Sequence, residues 1–411
     1  MKFVLKIIFL FLISNRAFSL SIKNSVVYGK DDRFLVNSSM DKRYVDLVDR
    51  IAPSIALMID LNDLRRGKLL DSKEGKESIQ EVIAPSLAHE KNLCSSEKFR
   101  DVPVLGTCTG FLVGEDLLLT AGHCIKGPIS CQRKKWLFDY RQEMMNIVDY
   151  KFESPISKLK NIENSEVELP PKNNKYFKMQ FPVNNIVGCK EIIRRIDDSD
   201  NKIDFALIRL DRKVIGRQPL KYRKTGRLPD DAKVLAFGHP WGMPLTIAPV
   251  GNIRSNNQDY FFTTNTDTFR GNSGSPVINA ETLEVEGLLV RGEDDAITFK
   301  EGEGDNSFVC KKVKVCDEGS CDGEDATRIT SIPDLILSPE ILKVLRLSES
   351  FIQSQVESTH TFSPPSISTP SESIEREVEI LPPLTSGQEV TLEQINEVLF
   401  SLRPPVGILE K

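Results

Sequence analysis

The hexapeptide Gly-Asn-Ser-Gly-Ser-Pro at residues 271–276 contains a serine with a glycine two positions before it and another directly after it. It separates two apolar runs, residues 260–262 and 276–278, and therefore predicts a tight turn between strands. Glycine neighbours let such a bend present Ser273 without blocking substrate or backbone. If the amides of Gly271 and Ser273 converge, they form a hole for an oxyanion. The pattern predicts nucleophilic attack by Ser273.

A serine hydroxyl is a weak nucleophile until a neighbouring base takes its proton. The chain has four histidines. Three stand in polar, turn-like or Pro/Ser/Thr-rich surroundings, namely His89, His239 and His360. The fourth, His123, follows an apolar run and small residues that leave space for an imidazole at a strand end. We therefore predict that His123 is the base.

A catalytic histidine needs a carboxylate that fixes its tautomer and stabilises the imidazolium. Asp204 is the one acid at the mouth of the apolar run 203–210, where a buried orienting carboxylate would lie. A turn acid at a strand edge is the alternative for this residue taken alone. The other two segments favour the orienting role.

Three segments, in this order, resemble the signature segments of the chymotrypsin-like (trypsin-fold) serine endopeptidases. They are Thr-Ala-Gly-His-Cys at 120–124, Asp-Phe-Ala-Leu-Ile at 204–208 and the hexapeptide at 271–276. The hexapeptide is more similar to that of the bacterial glutamyl-endopeptidase-like branch than to that of digestive trypsins. The resemblance covers roughly residues 94–346. It implies that Ser273 attacks a peptide carbonyl, His123 serves as base and then acid, Asp204 orients His123, and the Gly271 and Ser273 amides hold the oxyanion.

Short apolar runs alternate with Gly, Pro, Asn and Asp clusters, which predicts an all-β barrel or sandwich. The resemblance implies two six-stranded antiparallel β-barrels, about 94–220 and 221–346, with His123 and Asp204 from the first, Ser273 from the second, and the triad in the cleft between them. A C-terminal helix near residues 341–345 would close this domain. Residues 347–390 are rich in Ser, Thr, Pro and Glu and predict a disordered linker. Residues 391–411 predict a short amphipathic helix and tail.

Residues 1–19 have the features of a signal peptide: basic residues, a short apolar run and small residues at the cleavage position. The apolar run is too short for a membrane anchor. A secreted or periplasmic protein without stable membrane insertion follows. Removal of three basic residues would change the formal net charge from -5 to -8, which disfavours nucleic-acid binding. Residues 20–93 are either a propeptide or an N-terminal arm.

Eight cysteines behind a signal peptide predict disulfides in an oxidising compartment. No Cys-x-x-Cys with a matching pair is present, so we expect neither zinc nor another cofactor. The resemblance implies a bridge between Cys108 and Cys124 beside the histidine. Cys131 and Cys189 are the next pair, since their strands both belong to the first barrel. Three pairings remain open for the other four cysteines, Cys94, Cys310, Cys316 and Cys321.

Substrate preference depends on the residues around the primary pocket. In the family pattern Asp267 falls at the position whose carboxylate selects Lys or Arg, and Gly292 falls where the pocket wall must be open. Arg328 could instead pair with Asp267 and leave no charge for substrate. Thr268 matches the glutamate-specific branch, but Leu289 stands where that branch has its pocket histidine.

The sequence therefore predicts a serine endopeptidase that acts on protein or peptide substrates, with Lys or Arg favoured before the cleaved bond. A non-catalytic pseudoprotease or binding module of the same fold is the alternative. An esterase of the α/β-hydrolase type is disfavoured, because its nucleophile precedes its acid and histidine in the chain. The oligomeric state, the physiological substrate and the site of any activation cleavage stay open.

Overall fold

The computed structural model describes residues 31–37, 39–70, 78–144, 146–150, 175–292, 294–304, 307–316 and 321–336. The helices there are α1 (Val45–Ile51), α2 (Leu61–Arg65), α3 (Leu87–Lys91), α4 (Pro128–Arg133) and α5 (Pro333–Ile336). The strands are β1 (Phe34–Leu35), β2 (Ile55–Asp60), β3 (Leu69–Leu70), β4 (Ile79–Pro85), β5 (Cys108–Leu112), β6 (Leu117–Thr120), β7 (Lys134–Phe138), β8 (Asn146–Tyr150), β9 (Tyr176–Pro182), β10 (Ile186–Asp198), β11 (Ile203–Leu210), β12 (Lys233–Gly238), β13 (Thr246–Ser255), β14 (Phe261–Thr264), β15 (Pro276–Asn279), β16 (Val285–Arg291), β17 (Ala296–Glu301), β18 (Phe308–Val313) and β19 (Glu324–Arg328). The described chain is mostly sheet, as the all-β prediction required.

The first barrel closes in the order β10-β11-β6-β5-β2-β7, and its neighbouring strands are antiparallel. β5 is buried throughout, and β11 is buried except at Arg209. The pairing of β11 with β6 sets Ala206 opposite Thr120. The chain segments that contain Asp204 and His123 therefore meet at one end of this barrel.

The second barrel is formed by β13-β12-β15-β16-β19-β14 and closes through the β13–β14 pairing, while β1 adds to the outer edge of β13. All of its strand pairs are antiparallel. The hexapeptide 271–276 connects β14 to β15. The prediction of two six-stranded antiparallel barrels is confirmed.

The sequence-based boundary of the first barrel differs from the observed one. β2 lies in the stretch assigned to an N-terminal arm or propeptide, yet it pairs with both β5 and β7 inside the barrel. Its six residues are buried except for the last, Asp60. An apolar strand of this kind needs hydrogen-bonded neighbours on both edges and cover on both faces, which the closed barrel provides.

Two smaller units flank the barrels. β3-β4-β9-β8 form a four-stranded sheet, and β17 and β18 form a hairpin within the acidic stretch that precedes β19. Four disulfides link Cys94–Cys310, Cys108–Cys124, Cys131–Cys189 and Cys316–Cys321. Two of these, Cys108–Cys124 and Cys131–Cys189, are the pairs expected from the sequence. The Cys94–Cys310 bridge ties the β17–β18 hairpin to the segment after α3.

Among the described residues, none of the helices has the length and apolar character that a membrane span needs. The predicted signal peptide, the helix at 341–345, the linker and the C-terminal helix fall outside the described residues.

Candidate active site

His123 and Asp204 form a hydrogen-bonded pair at the end of the first barrel. His123 lies in a 3-10 turn, Gly122–Cys124, directly after β6. Its Nδ1 is 2.7 Å from Oδ2 of Asp204, whose side chain is 6% exposed, whereas that of His123 is 37% exposed. Because a carboxylate can only accept, Nδ1 carries the proton and the lone pair resides on Nε2.

The second oxygen of Asp204 fixes the histidine turn itself. Oδ1 accepts hydrogen bonds from the backbone N–H of Gly122, over 2.5 Å, and of His123, over 3.1 Å. A Cβ at Gly122 would lie 1.9 Å from the carbonyl oxygen of Ile196. The turn therefore needs glycine at that position, as the run of small residues before His123 suggested.

Ser273 lies at the tip of the loop between β14 and β15. Gly271 and Gly274 beside it have φ angles of +103° and +87°, in the region that favours glycine. A Cβ on Gly271 would be 2.3 Å from the carbonyl oxygen of His239, and one on Gly274 would be 2.2 Å from that of Thr109. Both glycines are therefore required by the backbone and by close approach of other segments.

Two backbone amides beside Ser273 are available to a ligand. Among the hydrogen bonds of the described residues, none has the amide of Gly271 or Ser273 as its donor. The neighbouring amides of Asn272 and Gly274 donate to the carbonyls of Phe269 and Leu289, over 2.9 and 2.6 Å. The two unengaged amides are the pair that the sequence analysis assigned to an oxyanion hole.

His123 and Ser273 line the same cleft, which has a volume of about 440 Å³. Three predicted site residues also line it: Thr268, Gly271 and Gly292. Among the described residues no hydrogen bond joins the Ser273 hydroxyl to His123. Such nucleophile–base bonds are often long until substrate binds. The cleft therefore brings together the predicted nucleophile, base and oxyanion donors, with Asp204 behind His123.

Asp267 is not among the residues that line this cleft. Its carboxylate accepts a hydrogen bond from the backbone N–H of Asp32, and burial raises the pKa of Asp267 to about 8. Arg33, next in the chain, stacks over the ring of Phe269 at 3.5 Å from its centroid. The segment before β1 therefore packs against Asp267, which the sequence had placed at the base of the primary pocket.

Arg328 does not pair with Asp267. Its Nε and Nη2 donate to the backbone carbonyls of Gln258 and Asn256, over 3.0 and 2.9 Å. Burial lowers the pKa of Arg328 to about 10. The alternative in which these two residues neutralise each other is therefore wrong, because the register of β19 directs Arg328 towards the 256–258 turn.

Sequence reasoning missed an acid that lies in the cleft. Glu324, the first residue of β19, accepts a hydrogen bond from the hydroxyl of Thr268 to its Oε2 over 2.5 Å. A Cβ at Gly292 would lie 2.0 Å from the same oxygen, so only glycine there lets the carboxylate reach its place. Its signal in the sequence is weak, because Glu324 follows Gly323 in a stretch that is mostly polar and charged.

Two groups of residues have the donor types of a metal site. One is Cys108, His123 and Cys124, and the other is Cys94, Glu301 and Cys310. In each group the two cysteines form a disulfide with each other. Thiolate is the form of cysteine that ligates metals. These groups therefore offer a single histidine or carboxylate each.

Comparison with known proteins gives a match to one family model and a set of solved structures. A Glu endopeptidase in complex with MPD has a TM-score of 0.33 and 15% identity, covering 71% of this chain and 94% of that chain. The Vibrio cholerae VesB protease has a TM-score of 0.35 and 13% identity, covering 69% and 62%. A serine endoprotease from Yersinia pestis has a TM-score of 0.33 and 12% identity, covering 62% and 59%. No curated protein matches. Residues 108–288 match the family model described as trypsin-like peptidase domain.

Proposed function

From the trypsin-like peptidase domain that the chain carries at residues 108–288, we propose that it is a serine endopeptidase with His123, Asp204 and Ser273 as its catalytic triad. The observation that supports this most is the hydrogen bond between His123 and the buried Asp204, since His123 lines the same cleft as Ser273. The unengaged amides of Gly271 and Ser273 support an oxyanion hole next to the nucleophile.

In this mechanism Nε2 of His123 takes the proton of the Ser273 hydroxyl while Oγ attacks the peptide carbonyl carbon. The carbonyl oxygen becomes an oxyanion that accepts hydrogen bonds from the Gly271 and Ser273 amides. His123 then donates its proton to the leaving nitrogen, and the carbon–nitrogen bond breaks to give an acyl-enzyme. His123 then deprotonates a water that attacks the ester carbon, the bond to Oγ breaks to release the acid, and His123 returns the proton to Oγ of Ser273. Asp204 stabilises the imidazolium in both halves.

Covalent labelling with a fluorophosphonate tests this assignment. We expect one label, mapped to Ser273, and loss of peptidase turnover by roughly six orders of magnitude in Ser273→Ala. The matched control is Ser275→Ala, two residues away, whose hydroxyl is buried against Oδ1 of Asn272 at 3.2 Å. Label on Ser275 would show that the nucleophile is misassigned. A folded wild-type protein that neither labels nor cleaves peptides would favour the pseudoprotease.

A preference for Lys or Arg before the cleaved bond is the second part of the proposal. Glu324 now supports it better than Asp267, since Glu324 lies against Thr268 and Gly292 in the cleft and Asp267 faces the segment at Asp32. A carboxylate in a cleft attracts a cationic side chain and repels an anionic one. Two cations also line the cleft, but Arg270 faces Asp294 at 3.8 Å and Arg291 faces Asp325 at 3.4 Å. Selection of glutamate is disfavoured, since Leu289 stands where the glutamate-specific branch has its pocket histidine.

Peptide substrates that differ only in this residue test the preference. We expect a higher kcat/KM for Lys and Arg than for Glu or Leu. Glu324→Gln should lower kcat/KM for the basic substrates up to about a hundredfold, which corresponds to a loss of about 2–3 kcal/mol of binding free energy. The kcat/KM of the leucine substrate should stay nearly unchanged. Asp267→Asn is the matched control. If Asp267→Asn removes the preference and Glu324→Gln does not, the sequence-based assignment holds.

We also propose that the protein functions in an extracellular or periplasmic space. Its four disulfides are typical of oxidising compartments. Residues 1–19 have the composition of a signal peptide. Sequencing the amino terminus of secreted protein would test both the removal of these residues and the extent of any processing within residues 20–93.

A further inference from the structure

The two peptide groups on either side of the Arg270 Cα are each held by a residue outside the triad, the Arg270–Gly271 group by Trp241 and the Phe269–Arg270 group by Asp295. The carbonyl oxygen of Arg270 accepts a hydrogen bond from the backbone N–H of Trp241. The backbone N–H of Arg270 donates to Oδ2 of Asp295 over 3.0 Å. The same Oδ2 accepts the indole N–H of Trp241 over 2.6 Å. One carboxylate oxygen therefore connects the nucleophile loop to the 239–243 loop.

The direction of the Arg270 carbonyl decides where the Gly271 amide points. In a planar trans peptide the C=O of one residue and the N–H of the next point in opposite directions. With its oxygen on Trp241, which does not line the cleft, the Arg270–Gly271 peptide turns the Gly271 N–H away from Trp241. A rotated peptide would instead put a carbonyl oxygen beside the oxyanion position, where it would repel the developing charge.

We propose that Asp295 is a positioning residue for the oxyanion hole: by accepting the Arg270 and Trp241 N–H groups on one oxygen, it keeps the Gly271 amide directed at the cleft. This inference rests on the proposed peptidase function. Asp295 touches no reacting atom in this account, and its effect passes through the Arg270–Gly271 peptide.

The backbone of the neighbouring loop needs such an anchor. Trp241 has a φ of +53°, a left-handed conformation that costs a non-glycine residue roughly 1–2 kcal/mol. Its ring packs on that of Phe269, with centroids 4.5 Å apart, in addition to its bond with Asp295. The contacts of Trp241 with Phe269 and Asp295 offset this cost and hold the 239–243 loop in one conformation.

Asp295 is itself held by the β17–β18 hairpin. It directly precedes β17, and its carbonyl oxygen accepts the N–H of Lys314 over 2.9 Å, just beyond β18. The disulfide Cys94–Cys310 ties β18 to the segment after α3. The hairpin therefore places one carboxylate against the loop that contains Ser273.

The residue before the nucleophile does not supply this anchor. In trypsins that residue is an aspartate whose carboxylate pairs with a buried amino terminus, whereas here it is Asn272. Oδ1 of Asn272 accepts the hydroxyl of Ser275 over 3.2 Å, and its backbone N–H donates to Phe269. Asn272 therefore stabilises the turn through Ser275 and Phe269, and Asp295 holds it through the backbone N–H of Arg270.

Steady-state kinetics on three variants test the proposal, with kcat expressed per active site titrated by a fluorophosphonate. Asp295→Ala removes both hydrogen bonds, and we expect kcat to fall about a hundredfold with little change in KM, as for loss of one oxyanion donor. Asp295→Asn keeps an acceptor oxygen and should recover most of that loss. The control is Asp294→Ala, an exposed acid that also lines the cleft and whose carboxylate is 3.8 Å from the Arg270 guanidinium. It accepts neither the Arg270 nor the Trp241 N–H, so its kcat should match wild type even if its KM changes.

A peptide aldehyde provides a second readout, because its adduct with Ser273 places an oxygen in the hole. Its affinity should fall with kcat/KM across the series, while Trp241→Phe, which removes only the indole N–H, should have a smaller effect than Asp295→Ala. Equal kcat per titrated site in Asp295→Ala and Asp294→Ala would overturn the proposal, as would a fall in KM and kcat together without loss of aldehyde affinity. A wild-type protein inert to the fluorophosphonate would instead refute the proposed function.

Discussion

The hydroxyl of Thr109, on the first barrel, donates a hydrogen bond to the carbonyl oxygen of Gly271, on the second, over 2.8 Å. The hydroxyl oxygen of Thr109 also accepts a hydrogen bond from the backbone N–H of His239 over 3.1 Å. The backbone N–H of Thr109 donates to the carbonyl oxygen of Ser273 over 2.9 Å. Thr109 is fully buried. One residue of β5 therefore joins the barrel that contains His123 to the loop that contains Ser273.

Replacement of Thr109 by valine should test that connection. Valine conserves the volume and loses the hydroxyl, which leaves the Gly271 carbonyl and the His239 amide unpaired at a cost of about 1–3 kcal/mol. We expect a lower unfolding free energy in urea and a kcat reduced by about tenfold, with little change in KM. Thr109→Ser keeps the hydroxyl and should retain kcat. Equal turnover in the two variants would show that the hydroxyl does not position the loop.

Two disulfides should separate stability from activity. In the chain-entropy model the 16-residue separation of Cys108–Cys124 gives about 3 kcal/mol of stability, and the 58-residue separation of Cys131–Cys189 gives about 4 kcal/mol. Only the first lies beside His123, and Cys108 lines the cleft. Paired Cys→Ala variants should therefore show the larger loss of unfolding free energy for the second bridge and the larger loss of kcat for the first. The reverse order would contradict the proposed bracing of His123.

The pH dependence of stability should depend on His239. This residue is 1% exposed, and burial lowers its pKa to about 4 from an ordinary value of 6.5. Above pH 6.5 the histidine is neutral in both states. Between pH 6.5 and 4 the unfolded state binds a proton that the folded state does not. The unfolding free energy therefore decreases as the pH is lowered through this range, by up to about 3 kcal/mol.

Denaturant titrations at several pH values would measure this effect. His239→Gln should give a flatter curve of unfolding free energy between pH 6.5 and 4 than wild type, even if its stability at neutral pH is lower. His89→Gln removes a half-buried histidine and serves as the control. Parallel curves for wild type and His239→Gln would contradict the assignment of a buried neutral imidazole.

The amino terminus should not be needed to order the oxyanion hole. Asn272 carries no charge, so it cannot offset the cost of burying an ammonium group, which is several kcal/mol when unpaired. Selective acetylation of the α-amine of the mature protein should therefore leave turnover per titrated site unchanged. Activity that depends on one free amino terminus, and is lost when that amine is acetylated, would show that our interpretation of Asn272 is wrong.

The sequence by itself determined the class of the fold and selected the residues of the candidate site. Local patterns in the sequence were enough to select the three candidate triad residues. An apolar run that ends in small residues precedes His123, Asp204 stands at the start of an apolar run, and Ser273 lies between glycines. The glycines beside Ser273 indicated a sharp turn for a physical reason. A φ of +103° at Gly271 excludes other residues, so the backbone conformation is written into the residue type.

Only the tertiary structure decided which acids reach the cleft. Asp267 and Glu324 are both acidic residues beside strands, and nothing local distinguishes them. The pairing of β14 with β19 brings Glu324 opposite Thr264, whereas the segment before β1 packs against Asp267. Asp295 meets Arg270 only because a hairpin held by Cys94–Cys310 places it there. Such contacts depend on strand register and on segments far apart in the chain, and a sequence pattern records neither.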